Sequence, residues 1–199
     1  IGTSSMTYQE TLSHIYGLAR FGMKPGLERI RTTLHALSDP QDAVRTIHVA
    51  GTNGKGSTSA FLAAILEAGG HKVGLFTSPH LITFTERIRV NGRELSEQDV
   101  ISLADRVLSV APDGTTFFEI VTAMAYLHFA EQGVGPAVME VGMGGRLDAT
   151  NIASGILSII TPIAIDHSQY LGNDIGRIAR EKAGVIKQGR PTVTSRQAA

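Results

Sequence analysis

Thr46-Ile47-His48-Val49-Ala50, running into Gly51-Thr52-Asn53-Gly54-Lys55-Gly56-Ser57, is the stretch that decides the fold. Its first five residues are short, mostly apolar and β-branched, as a strand buried on both faces requires. The next seven carry three glycines and a lysine. Thr58 to Ala68 is a helix-forming stretch, stopped by Gly69 and Gly70. Lys72 to Phe76 is a second short strand. Strand, glycine loop, helix and strand, in that order, are the ground plan of a parallel sheet. The expected class is α/β: a P-loop-containing, mostly parallel central sheet flanked by helices.

On the N-terminal side, Tyr8 to Phe21 has helical spacing at Leu12, Ile15, Tyr16 and Ala19. Gly22 to Gly26 breaks it, and Leu27 to Leu37 forms a second helix. On the C-terminal side, Ile88 to Val90 enters a tight turn at Asn91-Gly92. Ser96 opens a helix to about Val110, with Asp99 completing a capping box. Phe117 to Gln132 and Ile175 to Ala183 read as helices. Ala137 to Val141, Ile156 to Thr161 and Pro191 to Thr194 read as strands. One domain fits all of this.

Composition narrows the function classes. The 199 residues are 42% hydrophobic and 18% charged, which is ordinary globular composition. Lys plus Arg equals Asp plus Glu at 18 each, so the basic excess of a nucleic-acid binder is missing. There is no Cys, so a metal would need oxygen or imidazole ligands. No apolar run suits a membrane span, and no secretory signal is visible, so a cytoplasmic protein is expected. Ile1 to Ser5 precede Met6 and read as a leader outside the fold.

The glycine loop carries the clearest chemistry. Glycines let backbone N–H groups turn inward with no Cβ in the way. Together with a helix N-terminus, those donors cradle phosphate oxygens, and Lys55 adds a charge near the β and γ positions. The strict P-loop has Gly five residues before Gly-Lys and Ser or Thr directly after. Val49 and Gly56 hold those places, so the loop is a variant, and a plain glycine-containing turn is the competing reading. Ser57 or Ser78 could reach Mg²⁺.

Other candidates sit at strand ends, where open α/β sheets bind ligands. Thr77-Ser78-Pro79-His80 ends the second strand, although alone it reads as a Ser-Pro turn. Glu140 ends an apolar strand, where a carboxylate is costly unless it is paired or bound to metal. Mg²⁺ would resolve that cost, and so would a salt bridge to Arg146. Asp166-His167 follows a third strand. Lys182 would ordinarily just complement a helix dipole. Glu119, behind Phe117 and Phe118, suits either a flat heterocycle or a simple helix start.

Four segments together resemble one family. Gly51 to Ser57, Thr77-Ser78-Pro79-His80-Leu81, Glu140 to Asn151 and Glu181 to Lys187 are similar to the folylpolyglutamate synthase / dihydrofolate synthase family. That family belongs to the ATP-dependent amide ligases that include the Mur ligases. Its loop carries the extra glycine found here as Gly56. The resemblance implies a central domain like that of the Mur ligases. It implies a reaction in which ATP phosphorylates a folate or dihydropteroate carboxylate and L-glutamate attacks the acyl phosphate. It implies that Gly51, Thr52, Asn53, Gly54, Lys55, Gly56 and Ser57 hold ATP. Ser78 and Glu140 are similar to ligands of one Mg²⁺, and Glu140 and His167 to ligands of a second. Lys182 resembles a lysine carried as a carbamate, which would act as a further ligand. Lys55, His167 and Lys182 are thereby the catalytic candidates. Thr116, Phe117, Phe118 and Glu119, with Leu147, Asp148 and Ala149, match folate-contacting segments. The Gly22 to Gly26 loop and Leu27-Glu28-Arg29 match a loop near that site.

Family members are about twice as long, so residues 6–199 are expected to be an N-terminal ATP-binding domain without its C-terminal partner. The sheet then looks unfinished, the isolated chain is expected to be inactive as a ligase, and the parent enzyme is expected to be a monomer. A Mur-type ligase of cell-wall precursors and a nucleotide-binding module without ligase activity are the competing readings.

Overall fold

The structure is a computed structural model that describes residues 6–22, 25–166, 169 and 172–197. Strand β1 is Arg45–Ala50, and helix α1 (Tyr8–Gly17) and helix α2 (Glu28–Ala36) precede it. Helix α3 (Lys55–Ala68) leads to β2 (Gly74–Phe76) and to the hairpin of β3 (Ile88–Val90) and β4 (Arg93–Glu94). Helix α4 (Glu97–Leu108) and α5 (Phe117–Glu131) come next, then β5 (Pro136–Glu140) and β6 (Leu157–Ile160). Helix α6 (Ile175–Lys182) and β7 (Thr192–Thr194) complete the order.

The seven strands form one sheet in the order β4-β3-β2-β5-β1-β6-β7. The pairs β2–β5, β5–β1, β1–β6 and β6–β7 are parallel, and the β3–β4 hairpin joins β2 antiparallel. The expected strand–helix–strand unit is present, and its two strands, β1 and β2, are not neighbours in the sheet. β5, apolar at Ala137, Val138 and Met139, separates β1 from β2 and takes the buried centre.

Alternation along the strands divides the core into two layers. Val49 and Val138 face α3, where Ala63, Val73 and Leu75 complete one apolar cluster. Ala137 and Met139 face α5, which is apolar around most of its circumference because α1, α2 and α4 cover its outer side. Helix α3 begins three residues before the expected Thr58, because Gly54 takes a left-handed conformation (φ 81°) and starts the helix at Lys55. The register pairs Val49 with Glu140 and Ala50 with Ile160. The loops that follow β1, β5 and β6 therefore emerge side by side at one edge of the sheet, where ligands bind in this architecture.

Candidate active site

The loop after β1 is pinned from behind. Gly51 has φ of 146°, and a Cβ there would overlap Thr161 Oγ1, so no other residue fits without strain. The N–H groups of Thr52 and Asn53 donate to Pro162 O at 2.9 and 3.3 Å. Thr52 Oγ1 donates to Ala164 O and accepts from Ala164 N–H, both at 3.0 Å. These contacts correct the expected cradle. Two of its backbone donors are committed to the chain after β6, and the remaining donors are those at the start of α3. Lys55 Nζ donates to Thr52 O at 3.2 Å, which folds its charge over the loop.

Glu140, at the end of β5, is 5% exposed. Its Oε2 accepts Ser78 N–H at 3.0 Å. Arg146, the partner considered from sequence, instead ion-pairs with Glu181 at 3.5 Å. Burial raises the Glu140 carboxyl above its ordinary range, against the lowering effects of Ser78 N–H and Lys55. Gly56 stands so close that a Cβ there would lie 3.6 Å from both carboxylate oxygens. The additional glycine of the loop thus faces the carboxylate that ends β5. Glu140 and the neighbouring Ser78 offer hard oxygen donors, the type Mg²⁺ prefers. Among the described residues no cluster of three His, Asp or Glu side chains forms a complete metal site. His167 lies outside the described residues.

Lys182 has a deeper role than its helix-end position suggested. It is 3% exposed and donates to Gly51 O at 2.7 Å. Burial, then the nearby charge of Lys55, pushes its pKa down to about 8. Two close backbone approaches hold it there. A Cβ on Gly145 would meet the carbonyl oxygens of Glu181 and Lys182 at 2.7 Å, and one on Gly184 would overlap the Arg146 backbone. Asn151 Nδ2 clamps the same junction by donating to Arg146 O and Gly184 O at 3.0 and 3.1 Å. Spacing along the chain carries no sign of this packing at Gly184 and Asn151, which in sequence are only parts of the matched segments.

A cavity of about 550 Å³ opens along the segments that follow β2 and β5. Every residue of Thr116–Glu119 and Leu147–Ala149 lines it, as do Ser78 and Pro79. The structure therefore gathers the expected substrate segments into one pocket next to Glu140. Gly22, Pro25 and Gly26 line it too, whereas Met23 and Lys24 lie outside the described residues. Phe117 stacks on Tyr16 with ring centroids 5.5 Å apart. Glu119 has two roles. Its Oε2 accepts from Thr116 N–H and Thr116 Oγ1, both at 2.8 Å, as the capping box of α5, and takes Arg29 Nε–H at 3.1 Å. Its buried Oε1 has no hydrogen-bond partner among the described residues. Asp148 spends its carboxylate on the loop itself, accepting from Met143 N–H, Thr150 N–H and Thr150 Oγ1. Its expected contact with substrate thus competes with a structural role. Arg87 also lines the cavity and had not been singled out from sequence.

Residues 49–194 match the family model of the Mur ligase middle domain. The chain belongs to the Mur ligase family. Its similarity within that family is to folylpolyglutamate and dihydrofolate synthases. It is 46% identical to the dihydrofolate synthase/folylpolyglutamate synthase of Bacillus subtilis over 94% of its own length and 46% of the relative's. Among solved structures, an FPGS–AMPPCP–folate complex superposes with a TM-score of 0.92 at 39% identity, covering 97% of this chain and 49% of that one. Escherichia coli FolC in complex with DHPP and ADP superposes with a TM-score of 0.90 at 38% identity, covering 98% and 47%. The chain spans about half the length of the curated relatives it matches. No helix among the described residues is long and apolar enough to cross a membrane.

Proposed function

We propose that this chain is the ATP-binding part of a cytoplasmic, monomeric ligase that joins L-glutamate to a folate or dihydropteroate through an acyl phosphate. One observation carries the reading. Ser78 both lines the cavity and donates its N–H to Glu140, while Glu140 faces Gly56 of the phosphate loop. A substrate acid in the cavity would therefore meet the γ-phosphate end of a nucleotide on the loop. Solved relatives in complex with AMPPCP and folate, and with DHPP and ADP, support the same pair of ligands.

In this proposal Gly51 to Ser57 hold the triphosphate, and Lys55 offsets its charge. A substrate carboxylate oxygen attacks the γ-phosphorus, the bond to the β,γ-bridging oxygen breaks, and ADP leaves. The glutamate amine then attacks the acyl carbon, loses a proton, and inorganic phosphate departs as the amide forms. Mg²⁺ would be held by Ser78 and Glu140 and a second ion by Glu140 and His167, with a carbamylated Lys182 as a further oxygen donor, and the ions would neutralise phosphate charge. A pKa near 8 leaves Lys182 partly neutral at physiological pH, the form able to take up carbon dioxide as a carbamate. Phe117, Phe118 and Leu147 supply flat and apolar contacts for a pterin ring. The additional length of the relatives is where we place the remaining glutamate contacts and the closure that excludes water from the acyl phosphate.

Thermal unfolding of the chain tests the site. Mg-ATP at a hundredfold excess over its Kd is expected to raise the Tm by about 5 °C or more, and dihydropteroate to raise it further. Lys55→Ala should remove the ATP response. A response to ATP with none to any pterin would leave a nucleotide-binding module in place of the ligase.

A further inference from the structure

Among the described residues Arg87 is the one arginine of the cavity wall that is almost fully buried, at 6% exposed. Among the described residues no carboxylate lies within ion-pairing distance of it, whereas Arg29, Arg31, Arg89, Arg106 and Arg146 all have acidic partners. Its contacts are of another kind. Nε–H donates to His80 Nδ1 at 2.8 Å, and the guanidinium lies 5.2 Å from the centroid of the Phe117 ring. A ring nitrogen that accepts this hydrogen bond must be unprotonated, so His80 is neutral in this arrangement and adds no charge. The imidazole and the aromatic face fix the direction of the guanidinium without neutralising it. Burial lowers the Arg87 pKa, yet an arginine stays charged at any physiological pH. A buried cation with no counter-charge is costly, and the cost is offset when an anion completes the pair.

We infer that Arg87 forms a carboxylate subsite in the cavity, and that it recognises the α-carboxylate of a folate's glutamate. This rests on the function proposed above. Dihydropteroate has a single carboxylate, the one to be phosphorylated, and it must lie toward Glu140 and the loop. A folate brings two. One is activated, and the other stays behind in the cavity as a charge that needs a partner. A planar guanidinium suits that group because it binds carboxylates bidentately. Arg87 is thus a specificity-determining residue that favours a substrate already carrying glutamate over one that does not.

The test compares dihydrofolate with dihydropteroate, which differ only by the glutamate. Equilibrium binding to the intact protein is measured with a non-hydrolysable ATP analogue present, for the wild type, Arg87→Gln and Arg87→Lys. Arg87→Gln should lower the ratio of dihydrofolate to dihydropteroate affinity by roughly 10- to 100-fold, the loss expected for one charge-assisted pair. Arg87→Lys should recover part of that ratio, since it keeps the charge and loses the fork. An equal loss for both ligands would reveal a merely structural arginine supporting His80 and Phe117, and would overturn the subsite. An unchanged ratio would overturn it as well. A wild type that binds neither ligand would instead overturn the proposed function, and the subsite with it.

Discussion

His48 stands on β1 with no exposed surface, among residues that hold the pocket together. Its Nε2–H donates to Thr150 O at 2.8 Å, and Tyr126 Oη–H donates to the same carbonyl at 2.7 Å. Thr150 in turn binds Asp148, so the imidazole braces the floor of the cavity from beneath. Burial lowers the His48 pKa from 6.5 to about 4. Between those values the unfolded chain binds a proton that the folded chain refuses, so stability falls as pH drops from 6.5 toward 4. This residue should cost the wild type about 2 to 3 kcal/mol between pH 7 and pH 4.5. The share should vanish in His48→Gln, and urea unfolding at the two pH values measures it. Equal acid sensitivity in both proteins would contradict it. At this scale the sequence was legible at Gly51, whose glycine the strand-to-helix turn requires, while Gly56 was legible only through the family resemblance, since strict P-loop spacing made it an exception. It was silent at Lys182, whose end-of-helix position has an ordinary explanation until the fold inserts it behind the loop. It was silent too at Arg87, because a missing counter-charge is a property of neighbours distant in the chain.

Helices α4 and α5 start with the same device in different surroundings. Ser96 and Asp99 cap α4 on the surface, whereas Thr116 and Glu119 cap α5 against the cavity. Removing either hydroxyl with Ser96→Ala or Thr116→Ala should cost about 1 kcal/mol in chemical denaturation. Only Thr116→Ala should also weaken dihydropteroate binding, since Glu119 would lose part of the hold that orients it beside Arg29. Loss of binding in both variants would mean that helix stability alone controls the pocket. The surface box was readable from four residues, and so was the extent of α2 to α6 to within a turn, whereas α1 ends at Gly17, four residues before the expected Phe21. The second role of Glu119 was not, because the ion pair to Arg29 joins residues 90 positions apart.

For the molecule as a whole, the parallel sheet followed from one strand–loop–helix–strand segment, but the order of its strands did not. Periodicity shows that β1, β2 and β5 are buried; it does not say that β5 lies between the other two. That placement sets Glu140 beside β1 and its loop, and brings Ser78 from β2 within reach of the same carboxylate. The function proposed here depends on that convergence at one sheet edge. The most direct measurement is phosphate release from ATP by the whole ligase of which this chain is proposed to be the ATP-binding part, with dihydropteroate or tetrahydrofolate and L-glutamate added singly and together. The account predicts sustained release only when the pterin acid and glutamate are both present, matched one for one by amide product, and abolished by Glu140→Ala. Sustained ATP turnover indifferent to the pterin acid, or no amide product with all three substrates present, would contradict it.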